Sequence, residues 1–191
     1  MKVVAFNGSA RKNGNTARLI ETVFTPLKER GIETEMVQLA GQTLRGCTAC
    51  MGCWKNQDGC CVIKGDPVNA AVAKMREADG IILASPTYFA DVTAEMKALI
   101  DRCGMVTRAN GNLLRRKVGA GLVAVRRGGA MHVLQTLQNF FLISEMIVPG
   151  SSYWNIAFGR EIGEVDKDAE GIETMRVLGR NMAWLLEKLV D

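Results

Sequence analysis

The 191-residue chain lacks the features that mark membrane-bound and secreted proteins. It contains no uninterrupted run of about 20 apolar residues, which a transmembrane helix would need. Its amino terminus, MKVVAFNGS, has only a short apolar run before polar residues, so it lacks the apolar core of a signal peptide. We therefore expect a cytoplasmic protein with no membrane partner.

Histidine is almost absent, because His132 is the only one in the sequence. A Ser-His-Asp or Cys-His catalytic set needs a histidine beside its nucleophile. One histidine near the start of a predicted helix does not build such a set, so we expect no catalytic side chain.

A strong excess of charge of one sign is also missing. The formal net charge is +4, and the basic residues are scattered apart from short clusters at 115–117 and 126–127. These clusters are too short to indicate a nucleic-acid partner. No internal repeat or low-complexity linker divides the chain, so we expect one domain over residues 1–191, with a cysteine-rich loop at 46–62.

What the sequence does contain is an alternation of apolar strands and amphipathic helices. The runs GIILASP at 80–86 and VGAGLVAV at 118–125 are apolar on both alternating faces, as strands covered by helices on both sides are. Further strands are predicted at 2–6, at 32–39 as an edge strand, and near 146–149; helices are predicted over 15–30, 68–75, 96–103, 130–144 and 168–189. Five strands alternating with helices indicate a doubly wound α/β domain.

A sheet of this kind binds its ligands outside the carboxyl ends of its strands. The loops that leave those ends are 7–16, 40–65, 85–92 and 126–130. The same loops are the most chemically unusual stretches of the chain. Pattern and topology therefore predict a site at one edge of the sheet.

The first of these loops, GSARKNGNT, joins a strand to a helix and suits a phosphate. Free backbone N–H groups at a helix start favour an anion, and Arg11 can supply further donors. The loop does not fit a Walker motif, because Asn13 and Gly14 stand where glycine and lysine are required, and the dinucleotide pattern GxGxxG fails at Ala10. An ordinary polar turn with a helix cap is the alternative interpretation.

Two further loops suit a planar ring. SPTYF at 85–89 places Tyr88 and Phe89 directly after a buried strand, where a ring can stack or form hydrogen bonds. In RRGG at 126–129, the glycines permit close backbone approach, and the arginines can meet a flavin oxygen or a nucleotide phosphate. The alternatives are that Phe89 is a core residue and that the arginines are simply exposed.

Together these motifs resemble a known family. GSxRxxGNT after the first strand, SPxYF after the third, and RRGG before a helix ending in NFF are similar to the flavodoxin-like NADPH-dependent FMN reductases. With the cysteine loop included, the closer resemblance is to the iron-sulfur flavoprotein branch, and it extends from the first strand to at least Gly150. The resemblance implies a flavodoxin-like five-stranded parallel sheet of order 2-1-3-4-5 and a bound FMN.

The resemblance also implies which residues hold the FMN. The implied phosphate ligands are Ser9, Arg11, Asn15 and Thr16, with Asn13 as a further cofactor-binding residue. The implied ring ligands are Pro86, Thr87, Tyr88 and Phe89, with Gly128, Gly129 and Arg127 closing the far side. The chain departs from the family at Ala10, where proline is usual; this loosens the turn but removes no hydrogen-bond donor.

Five of the six cysteines lie in one stretch, GCTACMGCWKNQDGCC. In a cytoplasmic protein, clustered cysteines more often bind a metal or act in catalysis than form disulfides. Cys47, Cys50 and Cys53 have the spacing CxxCxxC, and with a fourth thiolate they suit a 4Fe-4S cluster, as in the flavoproteins that the chain resembles. Zinc, a disulfide and a thiol redox pair are the alternatives.

The fourth cluster ligand is open between two neighbours. Aligning VIK at 62–64 with the family selects Cys61, which we favour, whereas the shorter spacing selects Cys60. The sixth cysteine, Cys103, falls on the apolar face of its helix and is predicted to be a core residue.

The resemblance implies an FMN-dependent oxidoreductase that passes electrons from NAD(P)H or a reduced carrier to a quinone, oxygen or metal acceptor. One alternative is an electron relay between protein partners such as ferredoxin, without a pyridine nucleotide site. Another is a redox sensor with reversible thiol chemistry. The family also implies a homodimer or homotetramer.

Overall fold

The computed structural model describes residues 1–190. Five strands form one parallel sheet of order β2-β1-β3-β4-β5. They are β1 (Lys2–Asn7), β2 (Glu33–Gln38), β3 (Gly80–Pro86), β4 (Val118–Val125) and β5 (Ile156–Phe158). The predicted strand order and the doubly wound architecture are thus confirmed.

Helices cover both faces of the sheet. They are α1 (Asn15–Glu29), α2 (Gly52–Asn56), α3 (Val68–Glu77), α4 (Ala94–Ala109), α5 (Ala130–Ile143) and α6 (Ala169–Val190). Helices α1 and α6 pack on one face, and α3, α4 and α5 pack on the other. Among the described residues, no helix has the length and apolar character needed to cross a bilayer.

The central strands are buried because alternate side chains enter two separate cores. In β1, Val4 and Phe6 pack towards α3 and α4, while Val3 and Ala5 pack towards α1 and α6. Strand β4 uses glycine for close approach: a Cβ at Gly119 would lie 2.6 Å from the Phe141 ring of α5. A full apolar run on a strand therefore reflects burial on both faces.

The fifth strand is not where the sequence predicted it. Residues 146–149 make only an isolated bridge, in which Ile147 pairs with Val118 at the start of β4. The chain then passes Pro149, which has no N–H to continue a ladder, and pairs with the end of β4 only at Ile156–Phe158. The prediction of a strand near 146–149 was therefore wrong. The strand that pairs with β4 is β5, and its three residues are too few to give a clear sequence pattern.

Candidate functional site

The loop after β1 is held by short-range hydrogen bonds that leave a helix start open. Asn7 Oδ1 accepts from the Ser9 N–H at 3.0 Å, and Ser9 Oγ accepts from the Arg11 N–H at 3.1 Å. Helix α1 begins after Gly14 with no side-chain cap and no acidic residue in its first turn. Its first N–H groups have no intrahelical acceptor and carry the positive end of the helix dipole, so this end of α1 favours an anion.

A cavity of about 150 Å³ lies where this loop meets the carboxyl ends of β3 and β4. Three cationic side chains and no carboxylate are among the described residues that line it. The lining residues are Ser9, Arg11, Asn15, Thr16, Pro86, Thr87, Tyr88, Ala124, Arg126, Gly159 and Arg160. We name this the arginine cavity. Its electrostatic character suits a phosphate or another anion.

Thr87 provides a second sign of a ligand in the arginine cavity. Its Oγ1 is buried and has no hydrogen-bond partner within residues 1–190. A buried hydroxyl without a partner has a desolvation cost of about 1–3 kcal/mol, so such groups usually serve a bound molecule or water. The backbone N–H of Thr87 is already bonded to the Ala124 carbonyl at 3.0 Å, which fixes the residue beside β4.

Two of the predicted cofactor-binding residues have other contacts. Asn13 lies outside the arginine cavity and, with Lys12, lines a different cavity beside β2. Asn15 reaches the arginine cavity, but its carboxamide donates to the Glu161 carbonyl and accepts from the Gly163 N–H, both at 2.9 Å. The side chain of Asn15 therefore holds the turn after β5 against α1, which the sequence spacing did not reveal.

The loop after β3 forms a tight turn with an exposed tip. Tyr88 and Asp91 exchange two backbone hydrogen bonds of 2.9 and 3.0 Å. Between them, Phe89 and Ala90 have φ of 47° and 64°, and the Phe89 ring is fully exposed. Non-glycine residues are uncommon in this left-handed conformation, which carries backbone strain and is found at functional sites among other places. Phe89 is thus not the core residue of the alternative interpretation.

The loop after β4 touches the β3 turn because Gly129 has no side chain. Its φ is +85°, and a Cβ there would lie 2.9 Å from the Ala90 Cα. The two arginines of the loop line different cavities. Arg126 lines the arginine cavity, whereas the predicted Arg127 lines a separate cavity with Gly128 and Gly129.

That separate cavity has a volume of about 470 Å³ and contains several aromatic side chains from the segment around β5. Tyr153, Trp154 and Phe158 line it and are all more than half exposed. The Tyr153 and Trp154 rings are in tilted contact, with centroids 5.9 Å apart. No motif in the sequence singles out these aromatic residues, which follow the predicted strand near 146–149 without a clear pattern.

Four cysteines surround one small space between the cysteine loop and α4. Cys47, Cys50, Cys53 and Cys61 all line it, and its free volume is about 20 Å³, room for about one water molecule. We name this space the cysteine cavity. Cys60 is not among its lining residues. All six cysteines are free thiols, so no disulfide links the described residues.

The spacer residues between these cysteines adopt an unusual backbone. Ala49 and Met51 have φ of 52° and 58°, and Met51 precedes the short helix α2. Left-handed residues at these two positions reverse the chain twice within the CxxCxxC stretch. The loop can thereby direct three cysteines to one cavity at a cost in backbone strain of about 1–3 kcal/mol per residue.

The thiols of the cysteine loop differ in their tendency to ionise. Hydrogen bonding to the Gly52 backbone, and then to the Thr48 side chain, lowers the pKa of Cys50. Burial raises the pKa of Cys53. Within residues 1–190, no three cysteine, histidine or carboxylate side chains converge at the spacing of ligands to a single metal ion.

A buried arginine adjoins the cysteine cavity. The side chain of Arg102 on α4 is only 1% exposed, and it forms a salt bridge with Asp66. Its Nη2 donates to Cys61 Sγ at 3.3 Å. Burial acts to lower the pKa of Arg102, but hydrogen bonds to Asp66 and Cys61 outweigh this effect, so the pKa is raised and the guanidinium stays charged.

Comparison with known proteins identifies the family. The model of the family described as NADPH-dependent FMN reductase matches residues 1–161. The chain belongs to this family. An iron-sulfur flavoprotein of Methanocaldococcus jannaschii is 42% identical to the chain over an alignment of 191 positions, which covers 96% of each protein. The resemblance to the iron-sulfur flavoprotein branch is therefore confirmed.

Solved structures with a similar fold confirm that the chain has the flavodoxin-like fold. RosB, solved with bound 8-demethyl-8-formylriboflavin-5'-phosphate, matches all of the chain and 80% of its own length, with 20% identity and a TM-score of 0.73. A flavodoxin from the domain Archaea matches 98% of the chain and 99% of its own length, with 13% identity and a TM-score of 0.64. At these identities the likeness concerns the fold alone.

Proposed function

We propose that the chain is an FMN-dependent oxidoreductase that also carries a 4Fe-4S cluster. It would pass electrons from NAD(P)H or a reduced carrier to a quinone, oxygen or metal acceptor. The observation that carries the FMN assignment is the arginine cavity, where an uncapped helix start, three arginines and the unpartnered Thr87 hydroxyl meet. Membership of the FMN reductase family supports the same assignment.

Different residues would bind the phosphate and the ring of FMN. Ser9, Arg11 and Thr16, with the first N–H groups of α1, would bind the phosphate. Arg126 also lines the arginine cavity and would add a further positive charge there, and Asn15 would support the site through its bonds to 161–163.

The β3 turn and the loop after β4 would bind the isoalloxazine ring. Thr87 Oγ1 offers a hydrogen bond, and Pro86, Thr87 and Tyr88 line the arginine cavity. Gly129 of the loop after β4 lies against Thr87 and Ala90 of the turn. Bound FMN supplies two-electron hydride chemistry and one-electron release. No acid or base side chain of the chain is required, which agrees with the scarcity of histidine.

Cys47, Cys50, Cys53 and Cys61 would hold the cluster. A single zinc ion needs its sulfurs at about 2.3 Å, whereas a cubane cluster carries each terminal sulfur on a different iron and so spaces the sulfurs further apart. The positive observation for a cluster is that these four cysteines line one cavity. Cys47 and Cys50 are exposed, whereas Cys53 and Cys61 are partly buried.

An electron relay between protein partners is the second candidate function. The cysteine loop is on the surface, and Met51 and Trp54 beside the ligands are about half exposed. A cluster in this loop would be within reach of a ferredoxin-type partner or of a second copy of the chain in a homodimer or homotetramer. Anaerobic mixing distinguishes the two functions: rapid flavin reduction by NADPH or NADH alone supports the oxidoreductase, and reduction only by reduced ferredoxin supports the relay.

The FMN assignment is tested by a matched pair of variants. We expect Arg11→Gln to raise the dissociation constant for FMN about tenfold or more, because a hydrogen bond to a charged group contributes about 1.5–3 kcal/mol. Lys12→Gln removes the same charge one residue away, at a position that lines a different cavity, and should change the constant little. Quenching of FMN fluorescence on titration with apoprotein measures both. Equal effects of the two substitutions would contradict the assignment.

A further inference from the structure

Arg102 carries a positive charge in the protein interior, where a charged group has a high desolvation cost. Its side chain is 1% exposed and that of its partner Asp66 is 6% exposed. Removing such a pair from water costs several kcal/mol per ion before their attraction is counted. Neither residue lines the arginine cavity. The pair therefore needs an explanation that the flavin site does not provide.

The hydrogen bonds of Arg102 all point to the cysteine-loop region. Nη1 and Nη2 both donate to the Asp66 carboxylate, which fixes the plane of the guanidinium. The remaining bonds go to the Arg45 carbonyl at 3.2 Å, the Ile63 carbonyl at 3.4 Å and Cys61 Sγ at 3.3 Å. One cation thus connects both flanks of the cysteine loop and contacts the sulfur of one proposed ligand.

One donor of Arg102 is left over. Its Nε is buried without a hydrogen-bond partner within residues 1–190, and the residue itself lines the cysteine cavity. A guanidinium has five N–H donors, and a buried donor without an acceptor is unfavourable. An acceptor in the cysteine cavity, such as the sulfur of a bound cluster, would satisfy it.

We propose that Arg102 is a positioning and potential-setting residue for a cluster bound by Cys61. Its N–H group fixes the Cys61 thiolate as the fourth ligand and stabilises the extra negative charge that the reduced cluster carries. Hydrogen bonds to ligand sulfurs and nearby positive charge both raise a cluster's reduction potential. Asp66 orients the guanidinium and partly offsets its charge. This inference rests on the proposed cluster, and it also explains why Cys61 rather than Cys60 is the ligand.

The test is an anaerobic redox titration of the purified holoprotein, followed by the paramagnetic signal of the reduced cluster. In Arg102→Gln, we expect the ratio of reduced to oxidised cluster at a fixed poise to fall about tenfold, which corresponds to 59 mV for one electron. Arg102→Lys keeps the charge and should recover part of the shift. Arg108→Gln, at an exposed position of the same helix, is the matched control and should leave the potential unchanged.

Asp66→Asn keeps Arg102 and removes the opposing charge, so it should move the ratio in the other direction. This variant decides the matter if Arg102→Gln fails to retain iron. An unchanged potential in an iron-replete Arg102→Gln protein overturns the inference, and so does an unchanged potential in Asp66→Asn when Arg102→Gln holds no iron. Wild-type protein without iron would instead overturn the proposed cluster itself, so the two failures are distinguishable.

Discussion

At the residue scale, two adjacent cysteines have different surroundings. Cys61 lines the cysteine cavity, and its sulfur accepts a hydrogen bond from Arg102. Its backbone is fixed on both sides by Asn69, whose Oδ1 accepts from the Cys61 N–H at 2.7 Å and whose Nδ2 donates to the Cys61 carbonyl at 3.0 Å. Cys60 lies outside the cavity, and its N–H donates to Asp58 Oδ1. Spacing alone cannot separate these neighbours, whereas their contacts do.

Serine substitutions of these two cysteines test the ligand assignment. We expect Cys61→Ser to lose most of the bound iron, because it removes one of four thiolates, and Cys60→Ser to retain it. The measurement is iron and acid-labile sulfide per protomer after anaerobic purification, with flavin content as the check on folding. Loss of iron from Cys60→Ser alone would show that the assignment is reversed.

Cys103 differs from the exposed Cys47 and Cys50 because its thiol is buried. It is fully buried on α4 among apolar side chains, and burial raises its pKa to about 12 from an ordinary value of 9.0. A raised pKa keeps the thiol protonated until the pH approaches 12, and only the thiolate reacts quickly with an alkylating agent. The sequence-based prediction of a core cysteine is therefore confirmed.

We expect iodoacetamide to leave Cys103 unmodified in folded, iron-free protein at every pH from 7 to about 10, because its thiol stays neutral. The exposed Cys47 and Cys50 should react under the same conditions and serve as internal controls. Peptide mass spectrometry after alkylation reads all sites at once. Modification of Cys103 at a rate similar to that of Cys50 would contradict its burial.

At the element scale, the contact between two loops depends on one glycine. Gly129 has φ +85° and lies against Ala90 of the β3 turn, whereas a Cβ at Gly128 would meet nothing within 4 Å. Gly129 is also the residue that precedes α5. A side chain at 129 therefore meets both backbone strain and a clash, and a side chain at 128 meets neither.

For Gly129→Ala we expect a loss of about 1–3 kcal/mol in the free energy of unfolding, since an alanine in this conformation is strained and its Cβ displaces the β3 turn. Gly128→Ala is the matched control for stability and should change it by less than about 0.5 kcal/mol. Urea denaturation of the apoproteins, followed by circular dichroism, gives both values. A stable Gly129→Ala protein would mean that the two loops do not need this contact.

Some of the helices and strands could be predicted from the sequence, and others could not. Strands β1, β3 and β4 were predictable because burial on both faces gives each a continuous apolar run, and α6 was predictable from its long amphipathic pattern. β5 was not, because it has three residues and is specified by its pairing with β4 and not by its own pattern. The short helix α2 was missed for a related reason: five residues in a polar loop give no periodicity.

At the scale of the whole molecule, the parallel sheet explains why separate motifs meet. The loops after β1, β3 and β4 leave the same edge, so the predicted residues Ser9, Arg11, Thr16 and Thr87 lie around one cavity. Which side of a loop each residue faces was beyond the sequence. Arg126 lines the arginine cavity and Arg127 lines the separate cavity, a difference between two neighbours that no sequence pattern indicates.

Helix α4 contacts the loops of both proposed sites, one at its start and the other further along the helix. Helix α4 is capped by Thr93, whose Oγ1 accepts from the Met96 N–H and donates to the Gly8 carbonyl of the loop after β1. Two turns further on, Arg102 of the same helix contacts Cys61. The loop after β1 and the cysteine loop are therefore joined through one helix.

The cofactor content of protein purified without oxygen tests most directly whether the chain binds FMN and a 4Fe-4S cluster. We predict a coloured protein with flavin and iron-sulfur absorption, containing about one FMN, four irons and four sulfides per protomer. Flavin without iron or sulfide would contradict the cluster. A colourless protein that takes up no FMN would contradict the central claim that the arginine cavity is a flavin site.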